Sequence, residues 1–163
     1  MSIRLVLVRH GLSSFNEKGI VQGRTDNSYL TDKGYEQALK SGKALSGINF
    51  DNIYSSPLVR AAETAKTIQQ NLKGENNIIY DKNLLEVDLS SWSGLTINEI
   101  KNKYPEDYLL WKSDPENLKL ENHNKLAYQP IQELFDQANE FIESIFKVYL
   151  KKDKANILII GHN

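Results

Sequence analysis

The chain contains no cysteine, which excludes disulfide bonds, thiolate catalysis and cysteine-ligated metal sites. It also has no excess of positive charge, because its formal net charge is -1 at pH 7. Nucleic acids and membrane surfaces are therefore not expected partners, and any anion must be bound at a local site. No apolar stretch has the length of a membrane span, and the first residues lack the apolar core of a signal peptide, so we expect a cytoplasmic protein.

The usual motifs for nucleotide cofactors and metals are missing too. Neither G-x-x-x-x-G-K-[ST] nor G-x-G-x-x-G occurs, which argues against P-loop and dinucleotide-binding proteins. The three histidines are isolated and lack the spacing of a zinc site. We therefore expect no metal ion and no cofactor, and we interpret His123, which lies in a polar run, as a solvated loop residue.

The chain does contain enough apolar residues for one core. With 163 residues, of which 40% are hydrophobic, it is too short for two independent cores, so we predict a single domain over residues 1–163. Strands are predicted at 5–8, 51–55, 77–80 and 157–160, and helices at 32–45, 57–72, 96–104 and 130–149. The last strand ends on Gly161 and His162 without a following segment to cover the sheet, so we expect that the native C-terminal segment is lacking.

The first strand carries the most informative motif. Four consecutive aliphatic residues at 5–8 indicate a strand buried on both faces, as in a parallel sheet. Gly11 permits a sharp exit, which places Arg9 and His10 at the carboxyl end of the strand, where open α/β sheets bind ligands. These two side chains favour an anion, although an Arg-His pair at a strand end can also arise by chance.

Arginine is scarce in this chain. Among 20 basic residues only four are arginine, namely Arg4, Arg9, Arg24 and Arg60. When lysine supplies the general positive charge, the few arginines become candidates for bidentate recognition of phosphate or carboxylate. Arg24 lies beside Gly23 in a predicted loop at 17–29, and it is either a solvated surface residue or a group aimed at a substrate anion.

Arg60 lies near the start of a predicted helix, with Ser56 as the N-cap candidate and Pro57 as the first helical residue. A positive side chain in the first turn opposes the helix dipole. A bound anion at the same helix end would remove this conflict, because the free N–H groups and the guanidinium both favour it. The alternative is a solvent-facing arginine, for which Glu63 is the acidic neighbour at helical spacing.

Glu86 is flanked by apolar residues on both sides. It is either a strand residue that faces water, which the sequence alone slightly favours, or a partly desolvated acid with a raised pKa. Residues 105–128 are polar, and we interpret them as an insertion or lid rather than as part of the core.

Five blocks of residues, spread over the chain in order, carry a resemblance to a known family. They are Arg9-His10-Gly11 with Asn16, Leu30-Thr31 with Gly34 and Gln37-Ala38, Ser55-Ser56-Pro57-Leu58 with Arg60-Ala61 and Thr64-Ala65, Leu85-Glu86, and Gly161-His162. This set resembles the histidine phosphatase superfamily, in its phosphoglycerate-mutase-like branch. The resemblance implies an α/β fold, a three-layer α/β/α sandwich with a mostly parallel sheet.

The resemblance also implies roles for the residues. His10 would be the nucleophile and take the phosphoryl group as a phosphohistidine, while Glu86 would protonate the leaving alkoxide and later deprotonate the attacking water. The remaining expected site residues are the phosphoryl-binding Arg9, Arg60 and His162, and the substrate-binding Asn16, Gly23, Arg24 and Asn163. Arginine and histidine would supply the positive charge, so no metal is expected.

The resemblance leaves the reaction open. The mutases in this family carry a longer lid rich in arginine, whereas 105–128 contains none, and Ser90-Ser91-Trp92-Ser93-Gly94 departs from the Gly-Asp-Trp-Glu-Gly of many relatives. We favour a phosphomonoesterase acting on a small phosphorylated metabolite. The alternatives are a phosphoglycerate mutase, which would need 2,3-bisphosphoglycerate, and a noncatalytic binder of a phosphorylated ligand. The sequence does not decide the oligomeric state, and a homodimer is compatible with it.

Overall fold

The computed structural model describes residues 2–74, 76–122 and 124–162. The strands are β1 (Ser2–Arg9), β2 (Asn52–Ser55), β3 (Ile78–Tyr80), β4 (Leu120–Glu121), β5 (Ala127–Tyr128) and β6 (Lys154–Gly161). The helices are α1 (Ser14–Glu17), α2 (Asp32–Leu45), α3 (Val59–Gln69), α4 (Ile97–Lys103), α5 (Pro105–Ser113) and α6 (Pro130–Tyr149), with short 3-10 turns at 82–84 and 115–117.

Four of the strands form a parallel sheet in the order β1-β6-β2-β3. The last strand in sequence, β6, therefore lies in the middle of the sheet. It pairs with β1 from Ser2 opposite Lys154 to Arg9 opposite Gly161, and it pairs with β2 up to Ser55 opposite Ile160. This register brings the carboxyl ends of β1, β6 and β2 side by side.

Helices cover both faces of the sheet. Alternate residues of β6 point to opposite faces and therefore pack against different helices. Leu158 and Ile160 pack with Ala61, Ala65 and Ile68 of α3 in one cluster, to which Leu45 at the end of α2 also belongs. Ile157 and Ile159 pack on the other face, against the α6 side chains Phe141, Ile145 and Tyr149. The three-layer α/β/α architecture with a parallel sheet is thus confirmed.

The predicted start of α3 is wrong by two residues. The helix begins at Val59, and its N-cap position is Leu58, which has an extended backbone and no side chain that could cap. The reason is that Ser56 continues the strand pairing, since its N–H donates to the carbonyl of Ile160 at 2.9 Å. The tendency of Ser56 to cap a helix is therefore outweighed by its backbone pairing with the sheet.

A third cluster lies away from the sheet. We call it the Trp92 cluster, and it consists of Val87, Leu89, Trp92, Ile100, Leu118 and Leu120. Leu118 and Leu120 come from residues 105–128 and are 0% and 3% exposed, so the prediction that this segment lies outside the core is wrong for these two side chains. The sequence pattern does not identify Leu118 and Leu120 as core residues, because they are isolated apolar residues in a polar run. The lid role stays a prediction.

The loop after β1 and the start of α2 approach each other very closely. A Cβ atom at Gly11 would lie 2.4 Å from the carbonyl oxygen of Gly34, and a Cβ at Gly34 would lie 2.2 Å from that of Leu12. Thr31 caps α2, since its side chain accepts from the N–H of Gly34. The two glycines thus let the backbone that follows His10 lie directly on the first turn of α2.

Among the residues that the structure describes, no helix has both the length and the apolar character that a membrane crossing requires. The cytoplasmic location and the single domain predicted from the sequence stay predictions.

Candidate active site

The candidate site lies where three parallel strands end. His10 follows β1, Ser56 follows β2 and His162 follows β6, and backbone hydrogen bonds to β6 hold His10 and Ser56 in place. The N–H of His10 donates to the carbonyl of Gly161 at 3.0 Å, and the N–H of Ser56 donates to that of Ile160. The ring centroids of His10 and His162 are 5.2 Å apart, so the two imidazoles share one pocket.

His10 is oriented for nucleophilic attack through Nε2. Its Nδ1 lies 2.7 Å from the carbonyl oxygen of Gly11, which can only accept a hydrogen bond, so Nδ1 carries the proton. The Nε2 atom is buried and has no hydrogen-bond partner among the described residues, and the residue is 5% exposed. Burial, together with the positive charges of Arg60 and Arg9, lowers the pKa of His10 to about 4. At neutral pH, Nε2 therefore carries a free electron pair.

His162 is the second buried imidazole of the site, with a side chain that is 4% exposed. Its Nε2 lies 2.9 Å from the hydroxyl oxygen of Ser56. Its Nδ1 lies 3.5 Å from a carboxylate oxygen of Glu86 and has no hydrogen-bond partner within residues 2–74, 76–122 and 124–162. Burial lowers the pKa of His162 far below its ordinary value, and the charges of Arg60 and Arg9 act in the same direction. Ser56, the predicted helix cap, thus orients His162 instead.

Arg60 is completely buried although it lies in the first turn of α3. Its guanidinium donates to the carbonyls of Thr25 and Gly23 at 2.9 Å and 2.8 Å, and no described residue accepts a hydrogen bond from its Nε. Asp26 from the same loop accepts a hydrogen bond from the N–H of Val59 at 2.9 Å. The protein itself therefore supplies an anion at this helix end, and the solvent-facing alternative for Arg60 is wrong.

Glu86 is a buried acid rather than a residue facing water, because its side chain is 15% exposed. Burial raises its pKa, while a hydrogen bond from the N–H of Val87 and the charges of Arg60 and Arg9 act against this rise. Glu86 also lies at the junction of two packing regions, since Leu84 packs on the α6 face of the sheet and Val87 belongs to the Trp92 cluster. The expectation of a desolvated acid is the one that the geometry supports.

The other predicted site residues take different positions. Arg9 is exposed and lines, together with Asn16, Gly23 and Glu86, a cavity of about 290 Å³. Gly23 contributes its carbonyl to Arg60 and has a φ angle of 50°, in the left-handed region that glycine adopts readily. Asn163 and His123 lie outside the described residues.

Arg24 is engaged by the protein and does not line that cavity. Its Nε–H donates to the backbone carbonyl of Glu86 at 3.0 Å, and its terminal nitrogens contact the amide oxygen of Gln137 and, at 3.6 Å, the carboxylate of Asp88. Its side chain is 29% exposed. These contacts orient Arg24 toward the segment that carries Glu86.

The same pocket offers atoms that could ligate a metal. Nitrogens of His10 and His162 and an oxygen of Glu86 all lie within 4.8 Å of one another. Imidazole and carboxylate are common zinc ligands, and sequence spacing did not reveal this convergence because the three residues are far apart in the chain. Two arginines next to this set favour an anion instead. The prediction that no metal is used stays a prediction.

The sequence as a whole decides the family. A profile described as "Histidine phosphatase superfamily (branch 1)" matches residues 5–163. The chain belongs to the histidine phosphatase superfamily. As a histidine phosphatase of the phosphoglycerate-mutase-like branch, it has relatives with more than one activity in their names.

Three relatives show the range of those names. The 2-carboxy-D-arabinitol-1-phosphatase of Triticum aestivum is 36% identical over 160 residues, which cover 98% of this chain and 30% of that protein. Phosphoserine phosphatase 1 of Hydrogenobacter thermophilus is 31% identical over 160 residues, which cover 98% and 71%. A 2,3-bisphosphoglycerate-dependent phosphoglycerate mutase of Thermoplasma acidophilum is 34% identical over 127 residues, which cover 78% and 62%. The chain spans less than a third of the length of its plant relatives.

Solved structures agree with the fold of this histidine phosphatase. The structure of YhfR from Bacillus stearothermophilus superposes with a TM-score of 0.85 at 28% identity, and the match covers 99% of this chain and 74% of that one. The predicted fold class is therefore confirmed by an independent comparison as well as by the sheet topology.

Some groups near the site were missed or misinterpreted in the sequence. Thr64 accepts from the N–H of Gly11 at 3.0 Å and donates to the carbonyl of Arg60 at 2.7 Å, which ties the loop after β1 to α3. Trp111 and Ile97 line the cavity beside Glu86. The sequence could have identified Ser56 as a site residue, because it follows a predicted strand, as His10 and His162 do. Trp111 gave no such signal.

Proposed function

We propose that this protein is a phosphomonoesterase that uses His10 as its nucleophile. The observation that carries the proposal is the state of His10. Its Nδ1 is fixed as a donor by the carbonyl of Gly11, and its Nε2 is buried, unprotonated at neutral pH and without a hydrogen-bond partner in the part of the chain that the structure describes. A free imidazole nitrogen beside two arginines is suited to attack a phosphoryl group, whose oxygens the cations can bind.

In the first proposed step, the electron pair of His10 Nε2 attacks phosphorus, and the bond from phosphorus to the ester oxygen breaks. The leaving oxygen takes the proton of Glu86. Burial of Glu86 supports this role, because it favours the protonated form that an acid catalyst needs. The products of the step are an alcohol, a phosphohistidine and an ionised Glu86.

In the second proposed step, a water molecule attacks the phosphohistidine. Glu86 accepts a proton from the water as the new phosphorus–oxygen bond forms, and the bond from phosphorus to Nε2 breaks. Inorganic phosphate leaves, and both His10 and Glu86 return to their starting states. The charges of Arg9 and Arg60 stabilise the phosphoryl oxygens in both steps, so the proposed reaction needs no metal ion.

Two observations favour hydrolysis over transfer to a second hydroxyl. Residues 105–128 contain no arginine that could hold a phosphorylated acid, and Arg9 is exposed, which gives water access to the site. The plant and Hydrogenobacter relatives have phosphatase names, although a mutase is also among the relatives. We propose a small phosphorylated metabolite as the substrate. A homodimer stays a prediction.

The direct test is to trap the phosphoenzyme. The wild-type chain is expected to take up ³²P from a labelled phosphomonoester in an acid-labile, base-stable form, and to release phosphate. His10→Gln keeps a hydrogen-bonding side chain of similar size and should do neither, while circular dichroism checks that it is folded. A folded His10→Gln variant with normal turnover would remove His10 from the mechanism.

A second measurement separates the two reactions. We expect free phosphate when the protein is incubated with 3-phosphoglycerate and a trace of 2,3-bisphosphoglycerate, or with para-nitrophenyl phosphate. Formation of 2-phosphoglycerate without phosphate release would identify a mutase instead. Absence of both products from the wild type, with phosphate binding intact, would identify a noncatalytic binder.

A further inference from the structure

The cavity of about 290 Å³ next to Glu86 has a lining of mixed chemistry. Its lining combines two amide residues, Asn16 and Gln22, with apolar residues that include Ile20, Ile97 and Trp111. At about 30 Å³ per water molecule, the space corresponds to roughly ten waters, which is enough for one sugar-sized or phenyl-sized ring. Because Glu86 and Arg9 also line this cavity, an alcohol that leaves toward Glu86 would occupy it.

Trp111 forms a fixed part of the apolar lining. Its ring packs edge-on against Trp92, with the centroids 5.9 Å apart and the planes at 83°. Trp92 is 1% exposed and belongs to the Trp92 cluster, so it cannot move without disturbing buried packing. Trp111 itself is only partly buried, and the surface that the cluster leaves open lies along the cavity. A rigid aromatic surface of this kind is suited to stacking on a flat apolar group.

The charged side chains that line the cavity already have roles in the proposed reaction. Among its described lining residues, the charged side chains are Arg9 and Glu86, and the proposed reaction uses both at the phosphoryl group. A leaving group with a carboxylate would therefore bring a second anion into a place with no further cation to pair with it. Desolvating such a charge without a partner is costly.

We infer that this cavity selects a neutral leaving alcohol with a flat apolar side, such as a sugar or aryl ring, which stacks on Trp111. This inference rests on the proposed phosphomonoesterase function and goes further by naming the class of substrate. Phosphorylated acids, including phosphoserine and phosphoglycerate, are the poorer substrates.

A second cavity is lined by Arg9, Glu86 and also His162, so it is the competing position for the leaving group. The proposed reaction uses Arg9 and Glu86 at the phosphoryl group, and His162 is also expected to bind there. The second cavity has a volume of about 550 Å³ and lies between β1 and α6, with a mainly aliphatic lining that includes Leu7 and Leu134. Asn83 is its one amide side chain among the described lining residues, whereas a sugar needs several hydrogen-bonding partners. The cavity with Asn16, Gln22 and Trp111 is the better match.

The test measures kcat/KM for esters that share the phosphate and differ in the leaving group. For the wild type we expect phenyl phosphate and hexose phosphates to exceed O-phosphoserine and 3-phosphoglycerate by at least about tenfold, which corresponds to one good stacking contact. Trp111→Ala should lower kcat/KM about tenfold for phenyl phosphate and leave ethyl phosphate within twofold. Trp111→Phe keeps a ring and should restore most of the loss.

Two matched variants identify the position. Leu109→Ala changes a 69%-exposed residue of the same helix and should leave the ratio of phenyl to ethyl phosphate unchanged. Ile142→Ala enlarges the competing cavity and lies outside the Trp92 cluster, so it should also leave the ratio unchanged. A ratio that responds to Ile142→Ala but not to Trp111→Ala, an equal loss for all esters, or a wild-type preference for the phosphorylated acids would overturn the inference. Phosphoenzyme formation would persist in each of these cases, so they leave the proposed function intact.

Discussion

The end of the parallel sheet and the Trp92 cluster position their residues in different ways. At the sheet end, His10, Ser56 and His162 are delivered by backbone pairing between strands that are far apart in sequence. The Trp92 cluster is built by side chains of turns, helices and the two-stranded sheet of β4 and β5, to which its member Leu120 belongs. A displacement of the His10 backbone would therefore require a shift of the central sheet, whereas the cavity wall depends on side-chain packing.

Under the proposed function, the two regions separate the chemical step from substrate selectivity. Attack on phosphorus needs atoms held within a fraction of an ångström, which strand pairing provides. Selection of a leaving group needs only shape and polarity, which side-chain packing provides and can change. Glu86 lies between the two regions, so its environment depends on both.

The largest effect is expected for the residue at that junction. Glu86→Gln should lower kcat/KM for an alkyl phosphate about a thousandfold, because the leaving alkoxide then lacks its acid. For para-nitrophenyl phosphate, whose leaving group needs little protonation, the loss should be far smaller. Steady-state kinetics on both esters provide the measurement, with the exposed Glu36→Gln as the control. Equal losses for the two esters would show that Glu86 does not protonate the leaving group.

The next largest effect tests whether the two regions are independent. Ile100→Ala empties a site of 0% exposure in the Trp92 cluster and should lower the free energy of unfolding by about 2 to 5 kcal/mol in urea titrations. Phosphate affinity should not change at temperatures where the variant is folded. Val148→Ala, at a 62%-exposed position of α6, should have little effect on either quantity. A parallel loss of phosphate affinity in Ile100→Ala would contradict the separation.

A smaller effect is expected from pH, and it arises from the sheet end alone. Burial lowers the pKa of His10 from 6.5 to about 4, so between these values the unfolded chain binds a proton that the folded chain does not. His10 should therefore make the folded state lose up to about 3 kcal/mol of stability as the pH falls through this window, and His162, whose pKa is also lowered by burial, acts in the same direction. The raised pKa of Glu86 acts in the opposite direction, because the folded chain then binds its proton more readily.

Glu86 and His162 are present both in the wild type and in His10→Gln, so their contributions to the pH dependence of stability are common to the two proteins. The difference in unfolding free energy between the wild type and His10→Gln should thus narrow or reverse in favour of the variant from pH 7 to pH 4, as measured by urea titration at each pH. If this difference does not depend on pH, the imidazole is not desolvated in the folded state.

The smallest effect concerns the support of Glu86 by Arg24. Arg24→Lys cannot keep the hydrogen bond to the Glu86 carbonyl together with the contacts to Gln137 and Asp88, since lysine lacks the planar fork. We expect kcat to fall about tenfold for alkyl phosphates, with KM nearly unchanged. A rise in KM without a change in kcat would instead show that Arg24 binds substrate, which was the expectation from the sequence.

The residues that the sequence revealed best are those whose position follows from one strand. A continuous aliphatic run followed by Arg9, His10 and Gly11 predicts both the parallel strand and its polar end, and the structure places them there. Helix α2 was predicted with its observed bounds, because Thr31 and the apolar spacing agree with each other. Local propensity and tertiary structure coincide in these elements.

Other positions depended on partners that the sequence does not name. Arg60 donates to the backbone carbonyls of Gly23 and Thr25. Every residue has a backbone carbonyl, so the amino-acid sequence does not show which ones will bind an arginine. Glu86 could be interpreted in two ways until its burial was known. Trp92 lies in a turn and Trp111 in α5, and no periodic pattern in the sequence connects the two segments that bring them together. Contacts between irregular segments are the part of this fold that pattern reasoning could not reach.

The close approach of Gly11 and Gly34 limits how this protein can be redesigned. A methyl group at either position would enter the backbone of the other segment, and a second substitution cannot compensate because the obstacle is main chain rather than a side chain. Random libraries should therefore return glycine at both positions whatever ester is selected for. Variation for new substrates is best confined to Ile20, Ile97 and Trp111, where neighbours are side chains that can be exchanged together.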